Sequence, residues 1–273
     1  MTGSRVMKKA KAKLNITTMT GSRIKKKAKN KRRHTPNNES HSSSAAIKSL
    51  PRDLLVEVIA NVASHSFIDL HNLKKCSKDF LNATEDNYVW QQVSLETFPF
   101  IEWYPMEKKS SFLERCRKSG NIESLYREGL REYFNHDPSG NINHGLEFLK
   151  VATQKGHKEA KYVYGMILLC SKDDDLRKQG LEHMRFLRKS KCVISCRKKV
   201  QRFLRSMWTN NSMVEHNLST LCNCKSTCNG WRVKRGRWFL LDDDDDDYDT
   251  SLCEYCRWDH EIKYFYNRLL NAY

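Results

Sequence analysis

The sequence predicts a mainly α protein in three folded parts: a three-helix module over residues 47–95, stacked helical hairpins over 111–205 and a small cysteine-rich module over 218–273. A basic tail and linker, residues 1–46, precede them. Three observations carry this reading. Apolar residues recur at helical spacing behind a proline-led start at Leu50-Pro51. Between Ser111 and Lys189 the chain repeats itself at an offset of 36 residues. From Leu221 the composition shifts to two short cysteine clusters.

In the tail, Met1-Thr2-Gly3-Ser4-Arg5 recurs as Met19-Thr20-Gly21-Ser22-Arg23, each copy followed by a lysine-rich run, and Met19 could serve as an alternative start. So few apolar residues cannot offset the entropy of ordering, so the tail and the Thr35–Ala46 linker are expected to be disordered. Of the formal charge of +17, thirteen Lys and Arg, unaccompanied by Asp or Glu, lie between Met1 and Arg33. That leaves about +4 for the other 240 residues. The basicity is therefore local, whereas counterion-release binding by a folded domain needs Lys and Arg clustered on its own face. The runs Lys25-Lys26-Lys27 and Lys29–Arg33 suit a nuclear import signal, a polyanion contact or a solvated extension with no dedicated role.

Ten cysteines accompany a start that lacks the apolar stretch of a secretory signal, and no run approaches the roughly 18 apolar residues that span a bilayer. The expectation is a reducing compartment, nucleus or cytoplasm, no membrane partner, and cysteines that are free thiols or metal ligands.

In the first module, Pro51 suits a helix start because its missing N–H would be unpaired there, and Asp53 meets the positive end of the helix dipole. Leu54, Leu55, Val58, Ile59 and Val62 form an apolar stripe. Phe67, Leu70, Leu73, Cys76, Phe80 and Leu81 keep helical spacing with a break near Ser77, and Tyr88, Trp90 and Val93 give a third short piece. So small a cluster gains stability by docking on a partner or on the next domain.

These residues resemble the F-box, the adaptor-binding module of SCF-type ubiquitin ligases. Leu50-Pro51-x-Asp53-Leu54-Leu55-x-Glu57-Val58-Ile59 is the most specific part, and Tyr88-Val89-Trp90 resembles the closing aromatic pair. Cys76-Ser77-Lys78-Asp79-Phe80 departs from the family in carrying Phe80 where a tryptophan is usual. The resemblance implies that Leu50, Pro51, Leu54, Leu55, Ile59, Leu73 and Trp90 help dock a Skp-type adaptor, which in turn binds a cullin.

In the repeat, Gly120 aligns with Gly156, Tyr126 with Tyr162, Gly129 with Gly165 and Phe112-Leu113 with Phe148-Leu149. A third partial copy begins at Gly180-Leu181-Glu182, echoing Gly145-Leu146-Glu147. Stacked helical hairpins are expected, with Gly156 turning the chain and Gly165 allowing close helix packing. The copy from Gly145 to Gly165 resembles a Sel1-like repeat, a relative of the tetratricopeptide repeat. That resemblance implies a protein-binding surface, against which stands a structural spacer with no ligand of its own.

The cysteine-rich end offers Cys222, Cys224, Cys228, Cys253 and Cys256, with His260 four residues later. Tetrahedral zinc needs four ligands, and paired cysteines let each half supply two. The candidate set is Cys253 and Cys256 with two of Cys222, Cys224 and Cys228, His260 in reserve; four protein ligands would make the site structural. The aspartate run 242–247 reads as a solvated turn, and Cys76, Cys116, Cys170, Cys192 and Cys196 as small apolar core residues. Ile262, Tyr264, Phe265, Tyr266, Leu269 and Leu270 read as a last, packing helix.

The sequence contains no phosphate-binding glycine loop, nucleophile elbow or HExxH helix. The leading expectation is a non-catalytic subunit of a ubiquitin ligase that brings a protein substrate through the repeats or the C-terminus. The alternative is a nucleic-acid-binding protein that uses the basic tail and a C-terminal zinc module.

Overall fold

The computed structural model describes residues 50–100, 107–134, 142–206, 221–222 and 253–270. The duplicated tail, the linker, Cys224, Cys228 and the aspartate run lie outside the described residues. All regular structure among the described residues is helical. The first module holds α1 (Arg52–His65), α2 (Phe67–Cys76), α3 (Lys78–Ala83) and α4 (Asn87–Gln92). Pro51 occupies the position just before α1, and its carbonyl accepts the first helical bond from the Leu55 N–H at 3.1 Å. The break expected near Ser77 divides the second helical stretch, giving four helices, because serine side chains compete for the backbone. Ser66 separates α1 from α2 and accepts the Asp69 N–H; Ser77 separates α2 from α3 and accepts the Phe80 N–H, both at 3.1 Å.

The interior of this module is Val56, Ile59, Ala60 and Ala63 of α1 with Leu70, Ala83, Val89, Trp90, Val93 and Leu95. It is completed from outside its own span by Cys116, Phe112 and Leu113 of α5 (Glu107–Lys118). Phe112 stacks on Phe98 at 4.9 Å and meets Phe67 edge-on at 4.6 Å. The Trp90 Nε1–H donates to the Thr84 carbonyl at 2.8 Å, and the Arg115 guanidinium lies 4.2 Å from the Trp90 ring centroid. The stability that a 45-residue helical cluster lacks alone is thus supplied by the next element of the chain.

Three hairpins follow: α5 with α6 (Ile122–Phe134), α7 (Ile142–Gln154) with α8 (Lys158–Leu169), and α9 (Asp174–Lys189) with α10 (Val193–Ser206). Their turns are copies of one another. Gly120 (φ 82°), Gly156 (φ 92°) and Lys191 (φ 52°) adopt the left-handed conformation. In each case the next residue sends its N–H to a carbonyl five residues back: Asn121 to Cys116, His157 to Ala152, Cys192 to Leu187. The third copy is thus a complete hairpin. Its turn carries lysine in place of glycine, so the sequence signal that marks the other two is missing.

Gly165, expected to allow close helix packing, does so between hairpins, and Gly145 and Gly180 join it. A Cβ on Gly145 would lie 2.6 Å from the Tyr133 nitrogen of α6, and one on Gly180 would lie 3.0 Å from the Gly165 carbonyl oxygen of α8. The last helix, α11 (Glu254–Leu270), buries Trp258, Ile262, Phe265 and Tyr266 in the hairpin core rather than in a core of its own. No helix among the described residues is long and apolar enough to cross a membrane.

Candidate functional site

Helix α1 is apolar on two nearly opposed sides. At about 100° per residue, Leu54 and Val58 sit roughly 150° around the helix from the centre of the buried set Val56, Ile59, Ala60 and Ala63. Leu54 is 51% and Val58 54% exposed, and Leu50, in the segment before the helix, is exposed too. Leu54 and Val58, at i and i+4, thus face solvent on a helix whose other side is anchored, with Leu50 in the segment just before it. Of the residues expected to dock an adaptor, Leu50, Pro51 and Leu54 lie on the surface, while Leu55 and Leu73 are half-buried against the module's core. Ile59 (1% exposed) and Trp90 (5%) are inside it. Both are enclosed in the module's own core. Val58, a member of the apolar stripe by its spacing, points outward, as does Ile68 of α2.

The orientation of that module on the hairpins is set by two polar side chains, Asn121 buried and Arg127 partly buried. The Asn121 Nδ2 group donates to the carbonyls of Trp90 (3.1 Å), Gln91 (3.0 Å) and Val93 (2.9 Å), while its Oδ1 accepts the Ser124 N–H at 3.0 Å and caps α6. Arg127 donates to the Phe98 carbonyl at 3.1 Å, the Leu95 carbonyl at 3.0 Å and the Glu123 carboxylate at 2.6 Å. Glu123 also meets His157 Nε2 at 2.9 Å. Because His157 Nδ1 accepts the Ala160 N–H at 3.0 Å, Nε2 carries the proton and donates to Glu123. Burial pushes the Glu123 carboxyl up, but His157 and Arg127 outweigh it and hold the group below its ordinary range.

An open cleft of about 340 Å³ lies at this junction, between Gln91, Gln92, Glu123, Lys155 and His157. Its charged groups are engaged in holding the fold: Lys155 Nζ donates to the Gly120 carbonyl at 2.8 Å, and both ring nitrogens of His157 are bonded. The arrangement serves as a joint between the first module and the hairpins.

At the start of α11 the thiols of Cys222, Cys253 and Cys256 converge, with all three sulfurs within 4.8 Å of one another; together they could hold a metal ion. The Cys222 and Cys253 sulfurs are 3.6 Å apart, and the Cys256 N–H donates to the Cys253 sulfur at 3.3 Å. His260 is not among the converging donors, because it lies a turn further along α11. Cys76, expected in the core, is exposed at the end of α2 and donates its S–H to the Asn72 carbonyl. Cys116 and Cys196 are buried as expected, and burial pushes both thiols up to about 12.

With this geometry in view, the comparisons are direct. The chain is 32% identical over 225 residues, 78% of its own length and 74% of the relative's, to a protein of Arabidopsis thaliana that bears the name "Putative F-box protein At1g67623". The chain belongs to the F-box proteins. A second F-box protein of Arabidopsis thaliana, At2g35280, is 29% identical over 126 residues, 45% of this chain and 74% of the relative. The family of plant tetratrico peptide repeats matches residues 95–205, which hold the three hairpins. No solved structure matches the chain significantly.

In this F-box protein the residues that sequence reasoning missed are those whose partners are remote. Asn121 looks in sequence like an ordinary helix cap, and only the fold brings it to the carbonyls of residues 90–93. Val58 shares the helical period of its neighbours, and periodicity alone does not say which of two apolar faces is covered.

Proposed function

We propose that the chain is the substrate-recognition subunit of an SCF-type ubiquitin ligase. On this reading it docks a Skp-type adaptor through the outer face of α1, and through the adaptor reaches a cullin. It holds a protein substrate through the helical hairpins or the C-terminal segment. Catalysis then belongs to the recruited conjugating enzyme, and the chain itself carries none. The observation that carries the reading is the pair Leu54 and Val58, left in solvent on an otherwise anchored helix, with exposed Leu50 just ahead of it, in a family member.

The cysteine cluster serves on this reading as a structural zinc site, and the nucleus or the cytoplasm is the place of action, the basic runs at Lys25–Lys27 and Lys29–Arg33 serving nuclear import. Capture of a purified Skp-type adaptor tests the docking. Leu54→Asp with Val58→Asp changes only exposed positions, so the helical circular dichroism stays and capture is lost. Capture by the double variant equal to wild type would sink the assignment of this face.

A further inference from the structure

We propose that Cys222, Cys253 and Cys256 hold one zinc ion and that this site fastens α11 across the hairpin array, closing the face made by α6, α8 and α10. The inference rests on the zinc reading above and extends it to what the metal does.

The geometry of the sulfurs comes first. Zinc–thiolate bonds of about 2.3 Å in a tetrahedron set neighbouring sulfurs about 3.8 Å apart, while a disulfide needs about 2.05 Å. The 3.6 Å separation of Cys222 and Cys253 matches the former. An N–H aimed at the Cys253 sulfur stabilises a thiolate there. An all-sulfur donor set selects a thiophilic cation over calcium or magnesium, which take oxygen ligands. Three thiolates leave the fourth position to a further donor.

A group that is not a ligand positions one of the three. Asp259 of α11 is buried, and its carboxylate accepts the N–H groups of Leu221 at 2.7 Å and Cys222 at 3.0 Å. Cys222 comes 31 residues before Cys253, and this clamp brings it to the start of α11. Carboxylates in this outer position fix the orientation of metal-binding groups.

Helix α11 reaches every hairpin. Phe265 packs edge-on against Phe134 of α6 and Tyr162 of α8, with centroids 6.2 and 5.9 Å apart. Glu261, buried, receives Arg197 of α10 at 2.8 and 2.5 Å and the Tyr162 hydroxyl at 2.5 Å. At the helix start Glu254 takes a two-pronged bond from Arg185 of α9 at 2.7 and 2.8 Å. The cysteines sit at that same end, so metal held there ties the N-terminal end of α11 to the Cys222 segment, whose neighbour Leu221 packs against the hairpin core. A metal bound only by the docked arrangement adds its binding free energy to docking. A partner that seeks the α6–α8–α10 face must displace α11, and the metal sets how readily that happens.

The full chain, purified and dialysed, is measured for zinc by mass spectrometry and for amide hydrogen exchange with and without a chelator. The expected result is about one zinc per chain. Chelation then speeds exchange across residues 254–266 at least tenfold, leaves α1–α4 unchanged and is reversed by zinc but not by magnesium. Asp259→Asn keeps every cysteine and is expected to weaken zinc affinity by about 10- to 100-fold; an unchanged affinity overturns the positioning role of Asp259. Zinc near zero per chain overturns the site and the zinc reading together. One zinc per chain with α11 exchange unaffected by its removal overturns the fastening and leaves the zinc reading standing.

Discussion

Replacing Asn121 by alanine strips one side chain of two tasks at once. Its Nδ2 group serves three carbonyls at the end of α4, and its Oδ1 caps α6. Loss of the cap costs about 1 kcal/mol. A buried carbonyl left without a donor costs about 1–3 kcal/mol, but Gln91 is at the surface and water reaches part of this site, so about 1–2 kcal/mol for the three together is the reasoned figure. The sum is about 2–3 kcal/mol. For a folded part of this size that lowers the melting temperature by roughly 4–12 °C.

Asn121→Asp separates the two tasks. It keeps the capping oxygen but turns a carboxylate toward three carbonyl oxygens, so it is expected to destabilise more than alanine does. Urea unfolding followed by circular dichroism reads both variants. A loss under about 0.5 kcal/mol for Asn121→Ala, or an aspartate variant as stable as wild type, would refute the claim that this side chain joins the F-box to the repeats.

Lys191 holds a left-handed turn that glycine holds in the other two hairpins, so Lys191→Gly is expected to raise the urea midpoint by an amount worth about 0.5–1 kcal/mol; no gain would mean that the lysine side chain compensates. The Glu123 carboxyl is held below its ordinary value near 4.5, so its share of stability is present above that value and lost as pH falls through the lowered one. Acid unfolding of Glu123→Gln is therefore expected to be flatter below about pH 4.5 than that of wild type, which equilibrium denaturation at stepped pH will show. Alkylation of the native protein at about pH 8 is expected to label Cys76 and to spare Cys116 and Cys196, which are buried with thiols near 12; mass mapping of labelled peptides distinguishes them.

Much of the architecture is written locally. The proline-led start of α1, the break at Ser77 and the 36-residue echo from Gly120 to Gly156 are short-range signals, because caps and turns satisfy backbone groups within a few residues. Long-range pairings leave no such mark. Nothing near Tyr162 announces Glu261, and nothing near Cys222 announces Asp259, so α11 reads as a helix without revealing that it belongs to the hairpin core. The residues expected to dock an adaptor follow helical spacing yet divide between surface and core. Leu54 and Ile59 look alike in a period of 3.6, and only the placement of α2–α5 decides that Ile59 is enclosed and Leu54 is not.

The account stands most directly on the affinity between the full chain and a purified Skp-type adaptor, measured by calorimetry for wild type and for Leu54→Asp with Val58→Asp. It predicts saturable binding by wild type and at least a hundredfold loss in the double variant, about 2.7 kcal/mol, with an unchanged melting temperature. Equal affinities, or no binding by the wild-type chain, would contradict it.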